Sequence, residues 1–382
     1  MGYTGIDAQI GYATEVTVGT PATVTAFLPL VSESLMQERA RLESAGIIAG
    51  RRVLASQQWN GGDITVSGSI QHELYNRGLG KLFTAMFGDV ATTGAGPYTH
   101  TFTPGDLTGD ALTIQVGRPA TNGTTYPFTY AGMKVASWEI ACSAGEIATL
   151  GMDVVGTREI DYRVVTDGVT TSGSAAITSA SAAFNASDIG NPISGTGIPS
   201  GATILSVQSA TAATLSANAT ASGTSISFTL GIALAAASYP TGIKPLKFNH
   251  AAISIGGVSV NAKSLTISGN NGLDDARRFL GNQRISEPLE ANLREYSGTI
   301  EVEFTDLTQY RRFVTGSEAA LVASFTSGTD SVTITTNIRV DGSTPMVAGR
   351  EILVQSLPFK CVASGADSSA ITVALVNSDA TP

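Results

Sequence analysis

The sequence predicts a mainly β fold: two tandem sandwich-like domains, each with one packed helix and a long charged loop, and a small all-β domain inserted between them. Three observations carry this reading. A strand–helix unit occurs twice, a charged loop precedes each occurrence, and a stretch dominated by Ser, Thr, Ala and Gly separates them. The first unit runs from Gly61 to Gly88. Ile64, Val66 and Ile70 alternate with Asp63, Thr65 and Ser67, the period of a half-buried strand. Leu79, Leu82, Phe83, Met86 and Phe87 then fall at i, i+3, i+4, i+7 and i+8, one face of a helix. Near the other end, Ile300, Val302 and Phe304 alternate with Thr299, Glu301 and Glu303, and Leu307, Tyr310 and Val314 follow at helical spacing up to Gly316. Gly62, Ile64, Val66 and Gly80 match Gly298, Ile300, Val302 and Gly316 at one constant offset. Shared order, shared period and a closing glycine point to an internal duplication.

A chain of 382 residues has room for two or three domains, each with its own core. Its 42 glycines and its Ser, Thr and Val content favour strands joined by many turns. Charged residues make up only 14%, against roughly 25% in ordinary domains, so neighbouring molecules are expected to cover much of the surface. A net charge of −9 argues against a protein that grips phosphates, though not against a surface that DNA must pass without sticking. Cys142 and Cys361 form no disulfide framework or metal spacing and read as small buried residues. The first residues lack a basic region followed by an apolar stretch, so no signal peptide is expected. Ile6 stands where an acylation signal wants Ser or Thr. Leu230–Ala237 is too short to cross a bilayer. Folding in a cytoplasm is the expectation.

In chain order, residues 24–31 read as a strand. Residues 34–60 form a charged segment around the apolar patch Ala45-Gly-Ile-Ile-Ala-Gly50. Strands flank it, so an ordered arm or long hairpin docking on another subunit is expected. After the first helix, residues 98–102, 112–116, 128–133, 135–141 and 148–155 read as strands, completing a first domain over 1–163. Between Arg163 and Lys244 there is no Lys or Arg, and residues 164–233 carry only Asp167 and Asp188 as charges. Their short β runs, with Phe184, Ile189, Ile193 and Phe228 as candidate core, read as an inserted domain. The second domain covers 234–382, with strands at 251–255 and 263–268. A second charged loop at 269–297 precedes the repeated unit, and further strands lie at 332–336, 352–356 and 370–376.

The sequence offers little chemistry. His72, His100 and His250 belong to no metal motif, and His72-Glu73 reads as a surface pair. Gly195, Gly197 and Gly201 loosely mimic a dinucleotide loop, but Pro199 and the β-rich sequence downstream deny it the helix that must meet a pyrophosphate. Nucleophile elbow, P-loop, zincin and calcium-loop patterns are lacking. No catalytic residue, metal site or cofactor is expected.

Strand, long charged loop, strand, short amphipathic helix and further strands together resemble the tail tube fold of long-tailed bacteriophages. Residues 33–60, 63–70 and 74–87 carry the resemblance, and 265–295, 299–304 and 307–316 carry it again. The inserted segment is similar to the Ig-like or β-rich modules that decorate phage tails and capsids. The resemblance implies a structural virion protein, assembled in the host cytoplasm, whose rings stack helically into a tube that passes DNA without binding it. The partners implied are the chain itself and the tape-measure, tail-tip and terminator proteins; no membrane is involved. Ile64, Val66, Ile300 and Val302 would lie on barrel strands. Glu38, Arg39, Arg41, Ile47, Ile48, Arg51 and Arg52 from the first loop would join rings, together with Asp274, Asp275, Arg277, Arg278 and Arg284 from the second. Tubes of single-copy subunits use six copies round the bore, so a doubled chain implies three chains per ring, with six as the alternative. Without the two aspartates of the insert, 29 acidic residues face 22 basic ones, so a neutral or acidic lumen is expected. The competing reading is a capsid or tail decoration, or an adhesin-like protein, binding host glycans through 164–233. An enzyme acting on carbohydrate would need an acidic pair in a cleft.

Overall fold

The alternating segments become strands, and the two helical periods become the two α-helices found among the described residues. The computed structural model describes residues 4–382 apart from 343, 348, 349, 351, 366 and 368. The first copy opens with β1 (Gln9–Thr14), β2 (Ala26–Leu28), β3 (Ser32–Glu33), β4 (Met36–Glu43) and β5 (Trp59–Glu73). It continues through α1 (Gly80–Phe87), β6 (Gly88–Thr93), β7 (Tyr98–Pro104), β8 (Leu112–Pro119), β9 (Thr125–Ser143), β10 (Thr149–Gly156) and β11 (Arg158–Ile160). Six strands follow: β12 (Arg163–Thr170), β13 (Ala176–Thr178), β14 (Ile193–Gly195), β15 (Ile204–Ser209), β16 (Ala212–Leu215) and β17 (Gly223–Leu230). The second copy has β18 (Ala251–Ile255), β19 (Val258–Ser259), β20 (Ala262–Asn270), β21 (Glu295–Glu303) and α2 (Thr308–Thr315). It ends with β22 (Ala319–Ser327), β23 (Asp330–Val340), β24 (Val354–Val362) and β25 (Ile371–Asn377).

The duplication shows in the pairings. In the first copy β1 pairs with β2 and β8, β9 with β8, β10 and β11, and β5 with β10 and β4. In the second, β18 pairs with β19 and β22, β23 with β22, β24 and β25, and β21 with β24 and β20. Each pairing has its counterpart in the same chain order, and all are antiparallel.

The register of the repeat differs from the offset read in the sequence. Glu73 lies opposite Thr149 at the start of β10, and Glu303 opposite Val354 at the start of β24. This aligns Ser67-Gly-Ser-Ile-Gln-His-Glu73 with Ser297-Gly-Thr-Ile-Glu-Val-Glu303. The helices follow suit: Leu79 and Leu307 are the N-caps, Gly88 and Gly316 the C-caps. Ile70, not Ile64, is therefore the counterpart of Ile300, and Gly88, not Gly80, that of Gly316. β5 is 15 residues long and β21 only 9; the extra N-terminal length of β5 misled the simple offset.

An inner sheet runs β4-β5-β10-β9-β20-β21-β24-β23, four strands from each copy. Outside it lie β2-β1-β8-β9-β11 and, in the second copy, β19-β18-β22-β23-β25-β7-β6. The segments read as two strands at 128–133 and 135–141 are one 19-residue strand, β9, shared by both layers. It changes partners near Gly132, whose φ of +68° and contact with the Thr157 side chain leave no room for a Cβ. β22, rich in alanine, was not legible as a strand. Between the layers α1 buries Leu82, Phe83, Met86 and Phe87, whereas α2 has no fully buried residue and packs Phe313 only in part against the core. Of the stripe Leu307, Tyr310 and Val314, Tyr310 is half-buried, while Leu307 is 48% and Val314 61% exposed.

Residues 163–230 form a separate sheet, β14-β17-β12-β13-β16-β15, over their own apolar cluster. Phe184 and Phe228 stack there at 6.1 Å. Ile193 is buried too, but Ile189 is 42% exposed, because it follows a short 3-10 turn at the rim of the sheet.

His72 is no surface residue. It shares the parity of Val66 and Ile70 on β5 and so points into the core, where it is fully buried. The Pro29 carbonyl, 2.7 Å from Nδ1, can only accept, so Nδ1 carries the proton and Nε2 accepts from the Tyr12 hydroxyl at 2.5 Å. Burial pulls the His72 pKa down to about 4. Between there and the free value near 6.5, the unfolded chain binds a proton that the folded chain refuses, so stability falls as pH drops through this window. The loss amounts to about 3 kcal/mol at most. Urea midpoints measured at pH 7 and pH 4.5 should therefore lie closer together in His72→Gln than in the parent chain, whatever the variant's overall stability. An unchanged difference refutes the assignment.

Candidate assembly surface

The inner sheet has one face on the core and one open. Ile64, Val66, Ile300 and Val302 all point to the core and are buried. Their neighbours on the open face are polar. Asp153 holds the middle of that face, accepting from Ser69 Oγ at 2.6 Å and from Ser137 Oγ at 2.7 Å. A groove of about 480 Å³ runs across it, between Gln71, Glu139, Asp153, Asn270, Glu295 and Ser297. By strand parity Glu38, Glu43, Asp63, Glu73, Glu139, Asp153, Glu295, Glu301 and Glu303 belong to this face, against Arg41, Arg339 and Lys360.

The two copies are joined head to tail. Ser137–Ser143 of β9, the last inner strand of the first copy, pair with Ser264–Asn270 of β20, the first of the second. At the junction Gly269 faces Trp138, and a Cβ there would strike the indole ring. The outer edge of β4 carries no strand among the described residues. At the far end, β23 pairs with β24 only from Phe359 to Val362, and no described residue pairs with Val354–Leu357 on that side.

The two charged loops differ in what they touch. Residues 271–294 lie over the first copy. Asn271 Nδ2 donates to the carbonyls of Met86 (3.1 Å) and Val135 (2.9 Å), and Arg294 Nη1 to that of Phe87 (2.9 Å). The buried Lys134 reaches Glu287 Oε1 at 2.6 Å, and Ile64 N donates to the Gln283 carbonyl at 2.8 Å. Of the second-loop residues singled out in the sequence, Arg278 meets Asp63 at 3.6 Å and Arg277 bonds the Glu287 carbonyl. Arg284 bonds the Ser187 carbonyl, and Asp274 caps Ala276 N. Asp275 is exposed. Residues 44–58, by contrast, form the tip of the β4–β5 hairpin. Glu38, Arg39, Arg41, Arg51 and Arg52 are exposed there and make no ion pair among the described residues; Ile47 is 97% exposed and Ile48 38%. Sequence reasoning missed Lys134, Asn271 and Arg294 as anchors. Only their positions, on or beside strands whose partners were unknown, make them so.

Arginines hold the separate sheet of 163–230. Arg39 Nη2 donates to Ser187 Oγ at 3.1 Å, Arg158 to the carbonyls of Ile189 and Gly190, and Arg163 to Asp188 at 2.6 Å. Burial, with Arg284 nearby, lowers the Arg158 pKa to about 10.

The family model described as phage tail tube protein matches residues 5–233 and again residues 200–361. The chain belongs to the phage tail tube protein family. Two successive matches agree with the two copies of the pairing pattern, and the first runs through the separate sheet. No curated protein matches the chain. As a phage tail tube protein it is a structural component of the virion tail, one that self-assembles with other tail proteins into a tube. Among the described residues no helix is long and apolar enough to cross a membrane.

In this tube protein the junction at Gly269 tolerates no added atom. Gly269→Ala should lower the unfolding free energy by about 1–3 kcal/mol, while Ser264→Ala, on the open face of the same strand, should change it by less than about 0.5 kcal/mol. Denaturant titration compares them, and equal effects would show the Trp138 contact to be slack.

Proposed function

We propose that three chains close head to tail into a ring, that rings stack into the tail tube, and that phage DNA passes through the bore. One observation carries this: the β9–β20 pairing joins two equivalent copies by a heterologous contact, and the complementary edges, β4 and the β23–β24 end, have no strand partner among the described residues. A heterologous contact repeated by rotation closes into a ring when the angle permits, and barrel closure removes the free edges. Six copies round the bore then need three chains, with true threefold and only approximate sixfold symmetry. The open face becomes the lumen. Its surplus of carboxylates repels DNA phosphates, where a basic wall would hold them by counterion release.

Residues 164–233 are, on this reading, an inserted domain on the outside of the tube. Glu38 lies opposite Thr65 on the open face, so Arg39, opposite Ile64, points the other way, and Arg39 is what grips Ser187. The unpaired charges of the β4–β5 arm, Arg51 and Arg52 foremost, meet the next ring, where Asp274 and Asp275 offer the opposite sign.

Cryo-electron microscopy of a tube tests the ring directly. Three chains per ring are expected, and six full chains would show that only half of each inner sheet lines the bore. In the double variant Arg51→Glu/Arg52→Glu, single rings should persist while tubes are lost; tubes of normal length would remove these arginines from the stacking contact.

A further inference from the structure

The chain contains one copy-to-copy contact, and comparing its two sides shows what is missing from the other copy. Within the chain, the loop 271–294 of the second copy closes over the C-terminal end of α1, through the bonds from Asn271 and Arg294 to the carbonyls of Met86 and Phe87. Under it α1 is fully covered: Met86 and Phe87 are both 0% exposed. Aligned by their caps, Met86 corresponds to Val314 and Phe87 to Thr315. Val314 is 61% exposed, and Leu307, on the same helix face, 48%. The loop that would correspond to 271–294 is 44–58, and among the described residues its hydrogen bonds stay within the loop itself. Its side chains Ile47, Val53 and Leu54 are 97%, 76% and 47% exposed. A helix face with exposed apolar side chains and a loop with exposed apolar side chains stand in the two copies of one chain, each without, among the described residues, the partner its counterpart has.

Resting on the ring reading, we propose that residues 44–58 of each chain close over the C-terminal end of α2 of the neighbouring chain in the same ring, packing Ile47, Ile48, Val53 and Leu54 against Val314, Tyr310 and Leu307. The occupant is a second copy of this chain because the contact continues the internal one: each loop lies over the copy whose edge its preceding inner strand pairs with. Inside the chain the contact is polar, held by Asn271, Arg294 and the Lys134–Glu287 pair. Between chains it is apolar on both sides. That difference suits a joint formed after folding, since two apolar surfaces meet without first stripping water from charged groups. Arg51 and Arg52 on the same loop remain at the rim for the next ring, so one arm serves both contacts through different residues.

Two variants test this. Val314→Asp changes an exposed position, so circular dichroism of the isolated chain should match the parent. Ring yield by size exclusion and electron microscopy should fall at least tenfold, and undiminished rings would overturn the proposal. In Ile47→Cys/Val314→Cys, oxidation should link neighbours within a ring, and the denaturing-gel ladder should stop at the number of chains in one ring. The native thiols should stay quiet: Cys142 is buried, and burial lifts the Cys361 pKa to about 11. A ladder running past ring size would place the loop on the next ring instead, and intact rings without any cross-link would show the two surfaces apart; either result overturns the proposal. Failure of the unsubstituted chain to form rings at all would instead sink the ring reading.

Discussion

The structure depends on the ladder of backbone hydrogen bonds that runs, with bulges in three of its pairings, across the inner sheet. An exposed strand edge pairs with whatever presents itself, so each of these edges must be used, covered or blunted. Within the chain the β9 edge is used by β20. The β7–β6 hairpin, which has no counterpart in the second copy, uses the edge of β25. The edges at the two ends of the inner sheet stay open. They carry charge on β4, through Glu38, Arg39 and Arg41, which disfavours pairing with arbitrary partners while permitting one that is shaped to fit.

How much of this could be read from residues alone depended on whether a pattern was local. The Gly61–Gly88 stretch announces its strand and helix because each is a short periodic run. The duplication is legible for the same reason. Its register was not, because an apolar–polar alternation matches itself at every even offset, and only the cross-strand partners Glu73–Thr149 and Glu303–Val354 choose among them. His72 shows the opposite failure: its parity with Ile70 already placed it in the core, but its chemistry suggested the surface. β9 reads as two strands split at the charged Lys134, whereas the bend itself lies at Gly132, inside the first of them. Of the assembly surface, the sequence revealed the loops but not which one was already occupied. That depends on contacts such as Asn271 with Met86, made between residues 185 positions apart.

The two copies have diverged in a consistent direction. The larger aromatic cluster gathers at the first copy's helix, with Phe87 within 5.2 Å of Trp138 and 6.4 Å of the second copy's Tyr296, and that helix is sealed by the second copy's loop. The second copy keeps a helix with Arg311, Arg312 and an exposed apolar stripe. On the ring reading, covalent linkage accounts for the asymmetry. A contact made inside one chain forms during folding and can rely on buried polar bonds such as those of Asn271, which are costly only when left unmade. A contact made between chains must leave the free subunit tolerably hydrated, which limits how large and how apolar its halves can be.

The open face of the inner sheet follows from the same economy of charge. With few charged residues in the whole chain, placing so many carboxylates on one face is a strong local bias. Asp153 illustrates how that face is kept in order: two serines from the flanking strands hold its oxygens, so a carboxylate in the middle of a sheet sits in a defined position without a cation partner. A lysine or arginine there would satisfy the aspartate more strongly, but it would also give a passing phosphate something to hold. Serine fixes the carboxylate and leaves its charge uncancelled, which suits the lumen wall proposed for this face.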